Sequence, residues 1–290
     1  LLVLLLLLAY FKSNSQALDS IDYSKRRTIL WTTTSTLYVG TLVALNQLWY
    51  QDYERSTFRT INDTKQWKGM DKAGHTFSSY ISGKYGIQAF KWAGYSSKQS
   101  ALIGGMIGFT FLTTIEIFDG FSKEWGFSSM DIAANALGTS IAIGQELLFH
   151  EQILLLKFSY YPSDYRAYKP ELLGENNIQA IIKDYNAQTY WASLNLNSVS
   201  NNVKPKWLNL AFGYGANGMV NSKGAYMTEA GERISPYSQY FISLDIDLER
   251  IPTKKKWLRT TLACLNFIKV PLPTIEFREG GFSKLHLAYF

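Results

Sequence analysis

Thr28–Tyr50, TILWTTTSTLYVGTLVALNQLWY, is a run without a charged side chain. A helix of that length can cross a bilayer, which needs about 20 mostly apolar residues. The run closes on Trp49-Tyr50, residue types that favour a membrane–water boundary. Three further segments read as helices around it. Met70–Ala93 is amphipathic and carries Asp71, His75, Lys84 and Lys91. Residues 98–118 are uncharged between Lys98 and Glu116 and contain Gly104, Gly105 and Gly108. Gly104-x-x-x-Gly108 lets two helix backbones approach closely. The fourth helix starts after Ser128; Ser128 and Asp131 have the spacing of a capping box, and Gly138 and Gly144 indicate tight packing. The second and fourth segments are too polar to face lipid freely, so one to three embedded helices are expected.

The residues ahead of this bundle, LLVLLLLLAY followed by FKSNSQA, read as a secretory signal peptide over residues 1–17 without its initiating Met and basic leader, cleaved after Ala17. The apolar run is short for a membrane span, and no Cys follows it to take a lipid. Lys25-Arg26-Arg27 would ordinarily hold its end of the first helix in the cytoplasm, whereas a cleaved signal peptide puts it outside.

The chain changes character near residue 160. Beyond Tyr161-Pro162 a short helix is expected near 176–183, then strands at 189–199, 207–214, 239–249, 258–269 and 282–290. In the third, Ile242, Leu244, Ile246 and Leu248 point one way, and Ser243, Asp245, Asp247 and Glu249 the other. The expected fold class is therefore α+β: a membrane-associated helical bundle over 18–160, then an antiparallel β-sheet module over 161–290. Five or six strands are too few for a membrane barrel, which starts at eight. The apolar face is expected to cover the helices or to meet lipid.

Composition agrees with an envelope setting. Hydrophobic residues make up 47% and aromatics 15%, while charged residues are only 18% of the 290, below the roughly 25% of soluble domains. The net charge of +6 is dispersed, with no nucleic-acid module; membrane lipid is the better partner. Lys254–Lys256 reads as a hairpin tip. Cys264 is the only cysteine, which excludes an internal disulfide, and it reads as a small buried residue within a strand. Gly213-x-Gly215-x-x-Gly218 matches a dinucleotide fingerprint in letters, but it ends a strand with no helix after it, so a β-turn is expected. No Gly-x-Ser-x-Gly elbow or His-Glu-x-x-His zinc signature is present.

Three polar pairs fall at helical spacing: Asp71 with His75, Glu116 with Asp119, and Asp131 with Asn135. Each pair projects from one helix face. If the faces converge, Asp71, His75, Glu116 and Asp131 could hold a divalent metal, or the six residues could place a general acid beside a base. Equally, Asp71 and Asp131 sit in first helical turns, where an acid offsets the helix dipole, and a buried polar network fixes helix register.

DKAGH (Asp71–His75), EIFD (Glu116–Asp119) and FSSMDIAANALG (Phe127–Gly138) resemble the helical motifs of the domain of unknown function 2279 family, whose members are YfiM-like predicted periplasmic or outer-membrane-associated proteins. Their spacing is also similar to that of VanZ-like membrane proteins. KDYNAQTYW (Lys183–Trp191), KWLNLAFGYGANGM (Lys206–Met219) and KVPLPTIEF (Lys269–Phe277) resemble the longer form found in Bacteroidota. The resemblance implies an envelope location, outer membrane or periplasm, and no established activity. Two functions stand open: an outer-membrane-associated accessory or scaffold protein within an assembly or transport complex, and a membrane-associated, metal-dependent hydrolase of a lipid or cell-wall substrate.

Overall fold

The computed structural model describes residues 22–50, 53–200 and 202–290; the expected leader at 1–17 lies outside them. Residue contacts divide the chain into two compact units. The first comprises residues up to Asp63 together with Ser78–Gln152, and the second comprises Thr64–Phe77 with Ile153–Phe290.

In the first unit, helix α1 (Tyr23–Leu45) runs into a π-helical turn, Asn46–Tyr50. Its start is held by its own charges. Asp22 caps the helix, Arg26 donates to the Trp92 carbonyl at 3.1 Å and lies over the Trp92 ring, and Arg27 donates to the Gly94 carbonyl at 3.3 Å. The basic run that the topology rule assigns to one side of a membrane thus has a local task, satisfying carbonyls at the C-terminal end of helix α2 (Met70–Trp92). From Ser79 to Phe90, α2 is buried on nearly every side, as expected of a central helix.

Helix α3 covers Ser97–Gly120, including a π-helical stretch at Ser100–Gly104, and α4 covers Ser129–Phe149. The glycines of α3 meet α2 backbone to backbone. A Cβ at Gly86 would lie 2.1 Å from the Gly104 carbonyl oxygen, and one at Gly108 would lie 2.4 Å from the Ser79 carbonyl oxygen. Gly144 differs from its expected packing role, because nothing lies within 4 Å of a Cβ placed there. By length and composition, α1, α3 and α4 can each cross a membrane, and only 6% of the apolar window of α1 is buried in the molecule. Helix α4 qualifies despite its polar content: Asp131, Asn135, Thr139 and Glu146 are buried, while Met130, Leu137, Leu147, Leu148 and Phe149 face outward.

The second unit is built on an antiparallel six-stranded sheet. Its strands are β3 (Leu154–Tyr160), β4 (Gln188–Asn195), β5 (Leu208–Asn217), β8 (Tyr237–Ile246), β9 (Leu272–Arg278) and β10 (Ser283–Tyr289), in the order β10-β9-β8-β5-β4-β3. Two-residue ladders supply the remaining strands: β1 (Thr60–Ile61) with β2 (Phe127–Ser128) in the first unit, and β6 (Tyr226–Met227) with β7 (Arg233–Ile234) in the second. A short helix, α5 (Asn177–Lys183), precedes β4. Gly218 turns with φ +75° directly after β5, so the Gly213–Gly218 letters are a strand and its turn.

Two expectations need correction. The segment 258–269 is not a strand, because Lys256–Leu265 forms helix α6, burying Thr260, Ala263 and Cys264 on one side. A three-to-four-residue repeat of burial decided this, where the short apolar run was ambiguous. Lys254–Lys256 accordingly leads into a helix and is no hairpin tip. Strand β9, which lies beyond that segment and is not among the expected strands, pairs with β8 and β10, while β3 begins ahead of the change read near 160.

The sheet curls strongly. Lys157 on β3 reaches Asp245 on β8 at 2.8 Å although β4 and β5 lie between them, and both side chains are fully buried. The free edge of β3 meets the segment that leads into β9: Phe158 N–H donates to the Phe267 carbonyl at 2.8 Å, and Lys269 N–H to the Phe158 carbonyl at 2.9 Å. Inside the curl Lys269 lies over the Trp191 ring, 4.9 Å from its centroid. Burial lowers the Lys269 ammonium to about 8, against the pull of Asp245 and helped by Lys157.

Two outcomes follow. Gly86→Ala drives a methyl into the α3 backbone and should cost about 1–3 kcal/mol or more, read as a lowered unfolding temperature in detergent; Gly144→Ala, in open space, should match or exceed wild type by up to about 1 kcal/mol. Lys269 binds its proton less tightly folded than unfolded, so between about pH 8 and the ordinary lysine value near 10.4 the unfolded chain holds more protons. Stability should therefore rise with pH across that window, and Lys269→Met should flatten the rise in a pH series of denaturation curves.

Candidate functional site

In the first unit the β1–β2 ladder pairs Thr60 with Phe127 and Ile61 with Ser128, and so delivers Asp63 to the start of α4. Ser128 stands at that junction with three roles. Its hydroxyl accepts from Asp131 N–H at 3.2 Å as the N-cap of α4, donates to Asp63 Oδ1 at 2.8 Å, and its backbone N–H donates to Glu116 Oε2 at 3.1 Å. Asp63, Glu116 and Asp131 are all buried, as is Asn135 one turn beyond Asp131. Ser79 on α2 donates to the Asn135 carbonyl at 2.8 Å and shares a 2.7 Å hydrogen bond with Thr139. Two carboxylates, Asp63 and Glu116, thus meet at one serine, beside the buried Asp131 whose N–H the same serine caps. Burying such groups is tolerable only where hydrogen bonds replace water, and the cap supplies part of that replacement.

Asp119, on the same face as Glu116 one turn later, has a different neighbour. Tyr50, from the π-helical turn after α1, donates to Asp119 Oδ1 at 2.7 Å. The phenol is thereby a fixed donor to that carboxylate. Lys123 pairs with Glu54 instead.

Asp71 and His75 fall in the second unit. The Asp71 carboxylate accepts from Tyr185 at 2.8 Å and lies 3.0 Å from the Lys72 ammonium, while His75 Nε2 is 3.8 Å from its Oδ1. That last distance is too long for a hydrogen bond, although both residues share one helix face as the spacing requires. Gly74 between them has a steric purpose, because a Cβ there would come within 2.9 Å of the Tyr190 hydroxyl. Tyr190 is half-buried, donates to Gln188 at 2.7 Å, and the desolvation of its hydroxyl with Asp71 nearby raises its phenol far above the usual range.

Of the sequence-derived set, Asp71 and His75 belong to one unit and Glu116, Asp119, Asp131 and Asn135 to the other. Sequence reasoning missed Asp63, Ser79, Tyr50, Tyr185 and Tyr190. Tyr185 and Tyr190 stand within KDYNAQTYW, which carried the family resemblance but no chemistry. Asp63 lies in a loop with no periodicity to mark it.

These features define an α+β protein that joins membrane-length helices carrying buried acids to a curled antiparallel sheet. Residues 60–146 match the family described as predicted periplasmic lipoprotein, domain of unknown function 2279. That description supports an envelope or periplasmic location and names no activity. No curated protein and no solved structure matches it. All six sequence-derived candidates fall within the matched segment, whereas β3–β10 lie beyond it.

Ser128→Ala removes the α4 cap and a donor to Asp63 together, and should cost about 1–3 kcal/mol. Ser128→Thr, which keeps the hydroxyl, should restore most of the loss in the same unfolding measurement.

Proposed function

We propose that this chain is a membrane-anchored accessory or scaffold protein of the envelope, a subunit of an outer-membrane assembly or transport complex. The observation that carries the anchoring is α1, a 23-residue helix without acids whose apolar window is almost wholly unburied. Leaving Trp31, Val39 and Val43 outward is costly in water and favourable in lipid. The scaffold role draws on the acids. Asp63 and Glu116 accept hydrogen bonds from the Ser128 hydroxyl and backbone N–H, and such bonds at the start of α4 fix helix register.

The second reading, a metal-dependent hydrolase, draws on Asp71 and His75 sharing a helix face and on buried Glu116 and Asp131 in the same family segment. A divalent ion on these ligands requires a neutral imidazole and ionised acids. Metal analysis and thermal unfolding of wild type and His75→Ala, on one detergent-solubilised preparation taken from carbonate-washed membranes, separate the readings. The scaffold predicts protein retained in the washed membrane, no stoichiometric metal, and a mutant destabilised by about 1–3 kcal/mol. Metal in wild type that vanishes in a mutant of normal stability overturns it in favour of the hydrolase. Release by carbonate overturns the anchoring.

A further inference from the structure

The sheet of the second unit has its polarity reversed. Along β8, Gln239, Ser243 and Asp245 are buried, while Tyr240, Ile242 and Leu244 are exposed. In β9, Thr274 and Glu276 are buried, and Ile275 and Phe277 are exposed. In β10, Leu285 and Leu287 are 64% and 84% exposed. Strand register aligns these outward residues in rows: Phe212, Ile242, Ile275 and Leu285 face one another across four strands, with Tyr214, Tyr240 and Phe277 in the next row.

The inward side holds a small core of Trp191, Ala211 and Phe241 and is otherwise sealed by polar bonds. Lys157 pairs with Asp245, Ser193 donates to Asp245 at 2.6 Å, and Gln239, Arg278 and His286 all meet Glu276. In water, an antiparallel sheet with one buried face buries the apolar one. A polar interior under an apolar exterior is the pattern of sheets solvated by lipid.

The chain covers part of this exterior itself. Over β3 to β5, Phe77 lies against Phe158 and Tyr190, and Met70 packs among Tyr190 and Tyr214. Over β8 to β10 the described residues provide no such cover. At the end where β8 leaves the sheet, the exposed Lys254, Lys255 and Lys256 lead into α6, which turns Trp257 (65% exposed) and Arg259 outward. Cations around an indole at the end of apolar strands complement anionic headgroups above acyl chains.

We propose that the outward face of β8, β9 and β10 is a lipid-contact surface, seated in the acyl region of an anionic leaflet with Lys254–Lys256, Trp257 and Arg259 at headgroup level. This rests on the membrane-anchored reading above.

The test uses the full chain in a Cys264→Ala background, with single cysteines placed by Ile242→Cys, Leu285→Cys, Trp257→Cys and, in α1, Val39→Cys. Each is labelled with an environment-sensitive fluorophore and reconstituted into phosphatidylethanolamine–phosphatidylglycerol vesicles. Labels at 242 and 285 should be quenched several-fold more by acyl-chain nitroxide lipids than by aqueous iodide. The label at 257 should respond to headgroup nitroxide, and lose that response in purely zwitterionic vesicles. Iodide quenching at 242 and 285 overturns the proposal, as does silence to both quenchers with cross-linking between copies at those positions, which would make the face a self-association surface. The label at Val39 tells the two levels apart. Lipid quenching there without quenching at 242 and 285 defeats the sheet proposal alone; no lipid quenching at any position defeats the membrane anchor as well.

Discussion

At Gly86 and Gly104 two helices touch through their backbones, closer than any side chain would allow. The contact leaves no room for a methyl group, and its neighbours depend on it. With α3 drawn against α2 at Gly104 and Gly108, Ser79 comes within reach of Asn135 and Thr139 on α4. Glu116 is then carried to the Ser128 cap, where the backbone N–H meets it. Moving the backbones apart by one methyl radius would open the acids to partial hydration. Close packing of small residues is also how helices associate where lipid removes the hydrophobic drive between them. One geometric constraint thus serves both the polar cluster and the membrane setting.

The second unit solves the opposite problem. Its sheet keeps polar groups inside and must satisfy every one of them, and it does so by curling until β3 and β8 exchange an ion pair and the β3 edge meets the residues before β9. Two buried lysines lie beside one aspartate, and burial, with Lys157 adding to it, lowers the proton affinity of Lys269. The apolar outer rows are the consequence of this inward choice, because side chains alternate along each strand. A sheet of this kind is stable only if something other than water meets the outer rows, or if the first turns of α2 cover them, as they do over β3 to β5.

Local signals carried much of this into the sequence. The uncharged Thr28–Tyr50 run, the Ser128–Asp131 cap spacing and the strict alternation around Leu244 each reflect interactions between residues a few positions apart, so they are legible without a partner. Helix α6 was not, because its apolar residues fit either period over so short a stretch. Nor was the purpose of Gly144, since a glycine signals close approach only when another backbone is opposite.

The sequence by itself determined the α+β class, the membrane-length helices, the caps and the two-faced strands, all set by local propensity and periodicity. Tertiary structure alone decided which strand face is buried, that Asp63 joins Glu116 on Ser128, that Tyr50 holds Asp119, and that Tyr185 and Tyr190 surround the DKAGH motif. Those pairings join residues from 12 to more than 100 positions apart. Periodicity shows which residues share a face; only packing and the curl of the sheet fix what that face meets.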